Sequence, residues 1–163
     1  MKEFDAVFAG DTGVLAMVEG VYSVVLSKPG IVVLADGSKL VLRVVVVGVK
    51  HVGFSPFGGV NFVVKTVGGV ASLYVPEELR DSVKDKPLSP PDRPPEDGWE
   101  LVDIQSQEPA VEEVEVEVGG RKYRVKVLAE ASMVSRNMKY RTDVGEPLYW
   151  VYWSIKVQWK PLG

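Results

Sequence analysis

The chain predicts an all-β, mainly antiparallel fold, a β-sandwich or barrel-like sheet with at most one short helix near residues 76–84. Three observations carry this reading. Valine supplies 33 of the 163 residues, and β-branched side chains favour the pleated strand. Short apolar runs are separated by Asp-Gly, Gly-Gly and proline turn signals through most of the sequence. The third is the stretch VEEVEVEV-GG-RKYRVKVL at residues 111–128. With Gly119-Gly120 as a two-residue loop, Val118 faces Arg121, Glu117 faces Lys122, Glu115 faces Arg124 and Glu113 faces Lys126. Val116 then meets Tyr123 and Val114 meets Val125 on the other face. Glycine supplies the positive φ values of such a turn, and strict alternation leaves one apolar face and one charged face. Cross-strand ion pairs of this kind contribute about 0.2–1 kcal/mol each, so they set register more than stability.

The remaining elements follow in order. Strands are expected at residues 4–8, 14–19, 21–27, 31–35, 39–50, 60–67 and 70–75. Asp36-Gly37 reads as a two-residue hairpin turn that pairs Val33 with Leu40. Gly68-Gly69 reads as a second one, placing Phe62, Val64, Leu73 and Val75 on a core face. Residues 39–50 are apolar on both faces and predict a central strand covered on both sides. Residues 76–83 begin with proline and two glutamates, which suits the first turn of a short helix. Residues 99–104 and a long aromatic strand over 148–158 complete the list, with a less regular stretch at 132–145.

Residues 85–98 hold five prolines and six charges, an extended and exposed composition. They divide the chain into β units at 1–84 and 99–163, joined by a linker or strap; the alternative is one β domain over 1–163. The absence of cysteine excludes disulfides, thiolate-bound zinc and thiol catalysis. Two asparagines and three glutamines fit a protein that works hot. A net charge of −3 opposes a broad electrostatic grip on nucleic acid while leaving room for a local basic patch. No uncharged apolar run is long enough to span a membrane, and the first residues lack a signal-peptide pattern, so a soluble cytoplasmic protein is expected.

No phosphate-binding loop, zinc motif or nucleophile elbow is present, and no cofactor is implied. His51, the single histidine, reads as an ordinary strand-end residue, and the glutamates at 112, 113, 115 and 117 as a solvated ladder. Along the last strand, Tyr149, Val151, Trp153, Ile155, Val157 and Trp159 share one face and are expected to meet the core. Trp150 and Tyr152 share the other face with Ser154 and Lys156. Trp150, Tyr152 and Lys156, together with Arg136, Lys139 and Arg141 just upstream, form the candidate ligand surface, aromatic stacking beside cations. The leading expectation is a non-catalytic, β-rich protein-interaction module whose partner is another protein or a second copy. A single-stranded nucleic-acid-binding barrel using that surface is the alternative, and an enzyme built on His51 or on Asp11, Glu19, Asp103 or Asp143 is a third reading.

Overall fold

A computed structural model describes residues 21–163, so the strands expected at 4–8 and 14–19, with Asp11 and Glu19, lie outside the described residues. Nine strands and one helix follow: β1 (Tyr22–Lys28), β2 (Gly30–Leu34), β3 (Lys39–His51), β4 (Phe62–Tyr74), α1 (Glu77–Val83), β5 (Trp99–Val102), β6 (Ile104–Glu108), β7 (Ala110–Val118), β8 (Arg121–Asn137) and β9 (Leu148–Pro161). They form two open antiparallel sheets, not a closed barrel. Sheet A has the order β9-β8-β7-β1, with β5 also on β8; sheet B has the order β4-β3-β2-β6. One apolar cluster lies between them, with Val32, Leu34, Leu42 and Val44 from sheet B against Val114, Val125, Val127 and Val134 from sheet A. Each fully buried side chain of this size contributes about 1.5–3 kcal/mol relative to exposure.

The sheets are joined by a bent ribbon. β1 and β2 are one run bent at Pro29, and β6 and β7 are one run bent at Pro109. The two runs keep one register across the bend and shift by one residue on either side of it, at Val24/Leu26 and at Val33/Leu34. Lys28 lies opposite Val111 in sheet A, and after the bend Ile31 lies opposite Glu108 in sheet B. Proline fits here because it removes a ladder donor where the chain must turn. Gly30 fits because a Cβ there would come within 2.5 Å of the Ala110 nitrogen and 2.8 Å of the Glu108 carbonyl oxygen. The ribbon thus takes a strand from each side of residues 85–98 into each sheet.

Two polar side chains on the ribbon reach across the core. Glu112, only 2% exposed, accepts the Val46 N–H (2.8 Å) with one carboxylate oxygen and the Ser27 hydroxyl (2.9 Å) with the other. The Val46 carbonyl accepts the Tyr22 hydroxyl at 3.0 Å. Val46 adjoins the point where β3 bulges against β4, leaving Val47 unmatched. On the other side of the bend, Gln107 grips both backbone groups of Ala131, donating to its carbonyl (2.8 Å) and accepting from its N–H (2.9 Å). Ala131 adjoins the bulge of β8 against β9, where Ser132 is unmatched. A bulge leaves backbone groups out of the ladder, and a buried donor without a partner is costly.

The 111–128 hairpin has the predicted register throughout. Five readings need correction, two of them of exposure: Glu112 is buried rather than part of the solvated ladder, and residues 39–50 form a central strand whose outer face, with Arg43 and Val47, is exposed. Asp36-Gly37 belongs to a three-residue loop, closed by Leu34 N–H to the Ser38 carbonyl (2.9 Å) with Gly37 at φ 91°, so Val32 rather than Val33 faces Leu40. Gly68-Gly69 is the interior of β4 and no turn at all. The ring of Trp153 lies where a Cβ of Gly68 would stand, 2.3 Å from its Cη2, so glycine here admits an aromatic ring from the other sheet. As a result Leu73 faces solvent, whereas Phe62 and Val75 are buried as expected. Residues 99–104 form no single strand: β5 ends at Val102 and the chain changes sheets at Asp103.

Replacing Glu112 with alanine should lower stability by about 1–3 kcal/mol, because the Val46 donor is left buried and unpaired. Glu112→Gln keeps an acceptor and should lose less; urea denaturation giving equal midpoints for both variants and the wild type would refute the tie. Cleavage within residues 86–98 should yield two fragments that stay associated in gel filtration, since β1 of one pairs with β7 of the other.

Candidate interaction surface

β9 places the predicted aromatics as its alternation requires. Trp150 lies opposite Ser135, and Tyr152 opposite Met133. Both point to the outer face of sheet A, 55% and 64% exposed. Leu101, on the far side of Ser135, and Met133 are exposed beside them. Four large apolar side chains therefore form one patch. Tyr149, Val151, Trp153 and Trp159 face the core as expected, but Ile155 and Val157 on that face remain 43% and 39% exposed.

The proline-rich residues 85–98 are a strap folded onto the end of this patch. Ser89 N–H donates to the Arg141 carbonyl and Arg141 N–H to the Pro87 carbonyl. Asn137, fully buried, donates its side-chain amide to the Asp97 carbonyl at 2.8 Å. The Trp99 indole N–H donates to the Pro95 carbonyl at 2.8 Å. Trp99 meets Trp150 edge to face, ring centres 6.1 Å apart. A groove of 360 Å³ runs between prolines 90, 91, 94 and 95 of the strap and the side chains of Trp99, Leu148 and Trp150. Trp150 is the outer twin of Trp99, and among the described residues its indole N–H has no acceptor.

The predicted cations do not gather around these rings. Arg136 sits on the opposite face of β8 from Ser135, where it donates to Asp36 (3.1 Å) and Glu100 (2.6 Å). Arg141 Nε donates to the Lys86 carbonyl at 2.8 Å. Lys139 lies 3.7 Å from Asp97, and Lys156, on the outer face beyond the bulge, 3.6 Å from Glu130. The structure brings Trp150 and Tyr152 together and gives each cation an intramolecular partner. Sequence reasoning missed Trp99, Leu101 and Met133 because only the β5–β8–β9 register makes them neighbours of Trp150.

Arg136 belongs to a structural cluster at the end of the sandwich. The Tyr149 hydroxyl donates to Asp36 at 2.7 Å and accepts from the Ser38 hydroxyl at 2.7 Å, while Ser38 N–H donates to Asp36 at 2.8 Å. Burial pushes the Asp36 carboxyl upward, but hydrogen bonds from Tyr149, Ser38 and Arg136 outweigh it and hold the group below its ordinary value. Burial, then the bond to Asp36, pushes the Tyr149 phenol well above its usual range. His51 ends β3 opposite Phe62 and is exposed. Among the described residues, no three acidic or histidine side chains converge to hold a metal, and no helix is long and apolar enough to cross a membrane.

The two shifts define a pH window. A depressed carboxyl contributes stability above its unfolded value and loses it as pH falls; a raised phenol contributes below its unfolded value and loses it as pH rises. Melting temperature should therefore hold between about pH 5 and 9 and fall below about pH 4 and above about pH 10. Tyr149→Phe should weaken the alkaline fall, and Asp36→Asn the acid one. A variant profile parallel to that of the wild type at both ends would count against the cluster.

The chain matches no protein-family model, no curated protein and no solved structure.

Proposed function

We propose that the protein is a non-catalytic interaction module that binds an extended, proline-containing segment of a partner protein across Trp150 and Tyr152. The observation that carries this reading is the Trp99–Trp150 pair. One indole already holds a proline carbonyl of the strap, and its neighbour presents a half-exposed ring and a free N–H. Aromatic grooves take proline-rich segments because these are extended before binding and expose their carbonyls, so little ordering entropy opposes the contact. Leu101 and Met133 extend the apolar floor, and aromatic residues and methionine are enriched at such interfaces. The carbonyls and rings suffice for recognition without a charge on the partner, which suits a surface whose nearby cations already have partners.

The test is a titration with a synthetic polyproline-type peptide, followed through the NMR signal of the Trp150 indole N–H. Binding should shift that signal, and in the Trp150→Ala/Tyr152→Ala pair, followed by calorimetry instead, the affinity should fall at least tenfold, about 1.4 kcal/mol. An unmoved indole signal at saturating peptide excludes the groove. Salt-sensitive binding of single-stranded DNA or RNA, lost in the same double variant, would instead identify the patch as a stacking platform.

A further inference from the structure

We infer that a second copy of this chain docks on the open flank of the sandwich and extends both sheets at once. One corner of the sandwich is closed by the bent ribbon; on the other side, among the described residues, each sheet ends in a long strand without a neighbouring strand, β4 in sheet B and β9 in sheet A. The two strands lie one above the other. Trp153 rests on Gly68, and Trp159 meets the ring of Phe62 edge to face at 5.4 Å, so six residues along β9 match six residues along β4 in the opposite direction. Between these contacts, Ile155 and Val157 point into the sandwich yet stay 43% and 39% exposed, with no described strand beyond them. Val70, on the inward side of β4, is partly uncovered as well.

The β4 edge lacks the usual sequence protection, whereas β9 carries Lys156 and Lys160 and ends at Pro161. β4 runs for 13 residues without proline and with Lys65 as its one charge. Natural edges are generally short, charged or interrupted by proline. A single added strand would pair with one sheet and leave the other edge open, whereas a second copy brings two edges at the right spacing. The strands also fit themselves. Antiparallel pairing over the whole of β4 is centred on Gly68, which places Lys65 opposite Ala71 of the second copy and sets no like charges face to face. The same two-fold axis passes by Trp153 near the middle of β9. There Ile155 comes opposite Val151 and Val157 opposite Tyr149, closing an inward apolar seam. The contact would run about 43 Å along two layers about 10 Å apart, the scale of a standard interface of about 800 Å² per partner.

Light scattering with gel filtration over a dilution series should give twice the chain mass of 17.9 kDa. Val157→Lys should return the protein to a monomer with an unchanged far-UV spectrum, while Glu117→Ala, on β7 away from both edge strands, should leave the dimer intact. The chain has no cysteine, and a side chain at Gly69 meets nothing within 4 Å, so Gly69→Cys gives one clean handle beside the axis. A short bismaleimide should join its copies in high yield. A monomer at all concentrations overturns the inference, as does a dimer that persists in Val157→Lys or that the reagent at Gly69→Cys fails to join. None of these outcomes bears on whether Trp150 binds a proline segment.

Discussion

The two cross-core hydrogen-bond sets made by Glu112 and Gln107 are the constraint on which the rest of the structure depends. Apolar packing between two sheets of valine is non-directional and would tolerate several slips of one sheet over the other. Glu112 fixes sheet A to Val46 of sheet B, and Gln107 fixes sheet B to Ala131 of sheet A. Both side chains come from the run bent at Pro109, a few residues to either side of it. Each meets a long strand beside a bulge, where backbone groups need partners. The bulge of β8 falls between Tyr152 and Trp153 in the partner strand, so the same irregularity that Gln107 satisfies also sets the phase of the aromatic strand.

Much of this was legible in the sequence wherever period two was unbroken. The 111–128 hairpin and the opposite faces of Trp150 and Trp153 follow from local alternation, and the helix near residue 80 follows from its leading proline and two glutamates. The phase also carried the position of Glu112: it falls in step with Val114 and Val116, not with Glu113, Glu115 and Glu117. Composition pulled it toward the acidic ladder, and only the unmatched Val46 donor explains a carboxylate on the apolar side. Gly68 was misread because a Gly-Gly pair signals a turn locally, whereas its meaning here comes from a tryptophan more than eighty residues away. Asp36-Gly37 was misread by one residue because two- and three-residue loops share the same signature. Arg136 appeared basic and free in sequence, and the long-range pairing with Asp36 and Glu100 is what occupies it.

Part of the charge in this molecule is paired internally. Arg124 bridges Glu115 at 2.6 Å and Glu113 at 3.2 Å, one cation serving two acids along the hairpin. Exposed pairs of this kind contribute about 0–1 kcal/mol, so their role is to hold register and keep the outer face wet. The consequence for recognition is a division of the surface. The hairpin end of sheet A is charged, the β5–β9 end is aromatic, and the flank is apolar, with its edge strands unpaired on one side among the described residues.

The bent ribbon also dictates how the chain is assembled. Residues 22–34 find partners at residues 104–118, so the first described strand waits for the synthesis of most of the chain. Until then a run of valines remains without its sheet, and only the local hairpins β2–β3, β3–β4 and β7–β8 can form early. Pairings of such sequence separation place the fold among slow formers, since the loop must close before any long-range contact rewards it. The folded sandwich therefore marks the end of a nucleation that joins the two halves of the chain, and the proline bends are where that nucleus turns from one sheet into the other.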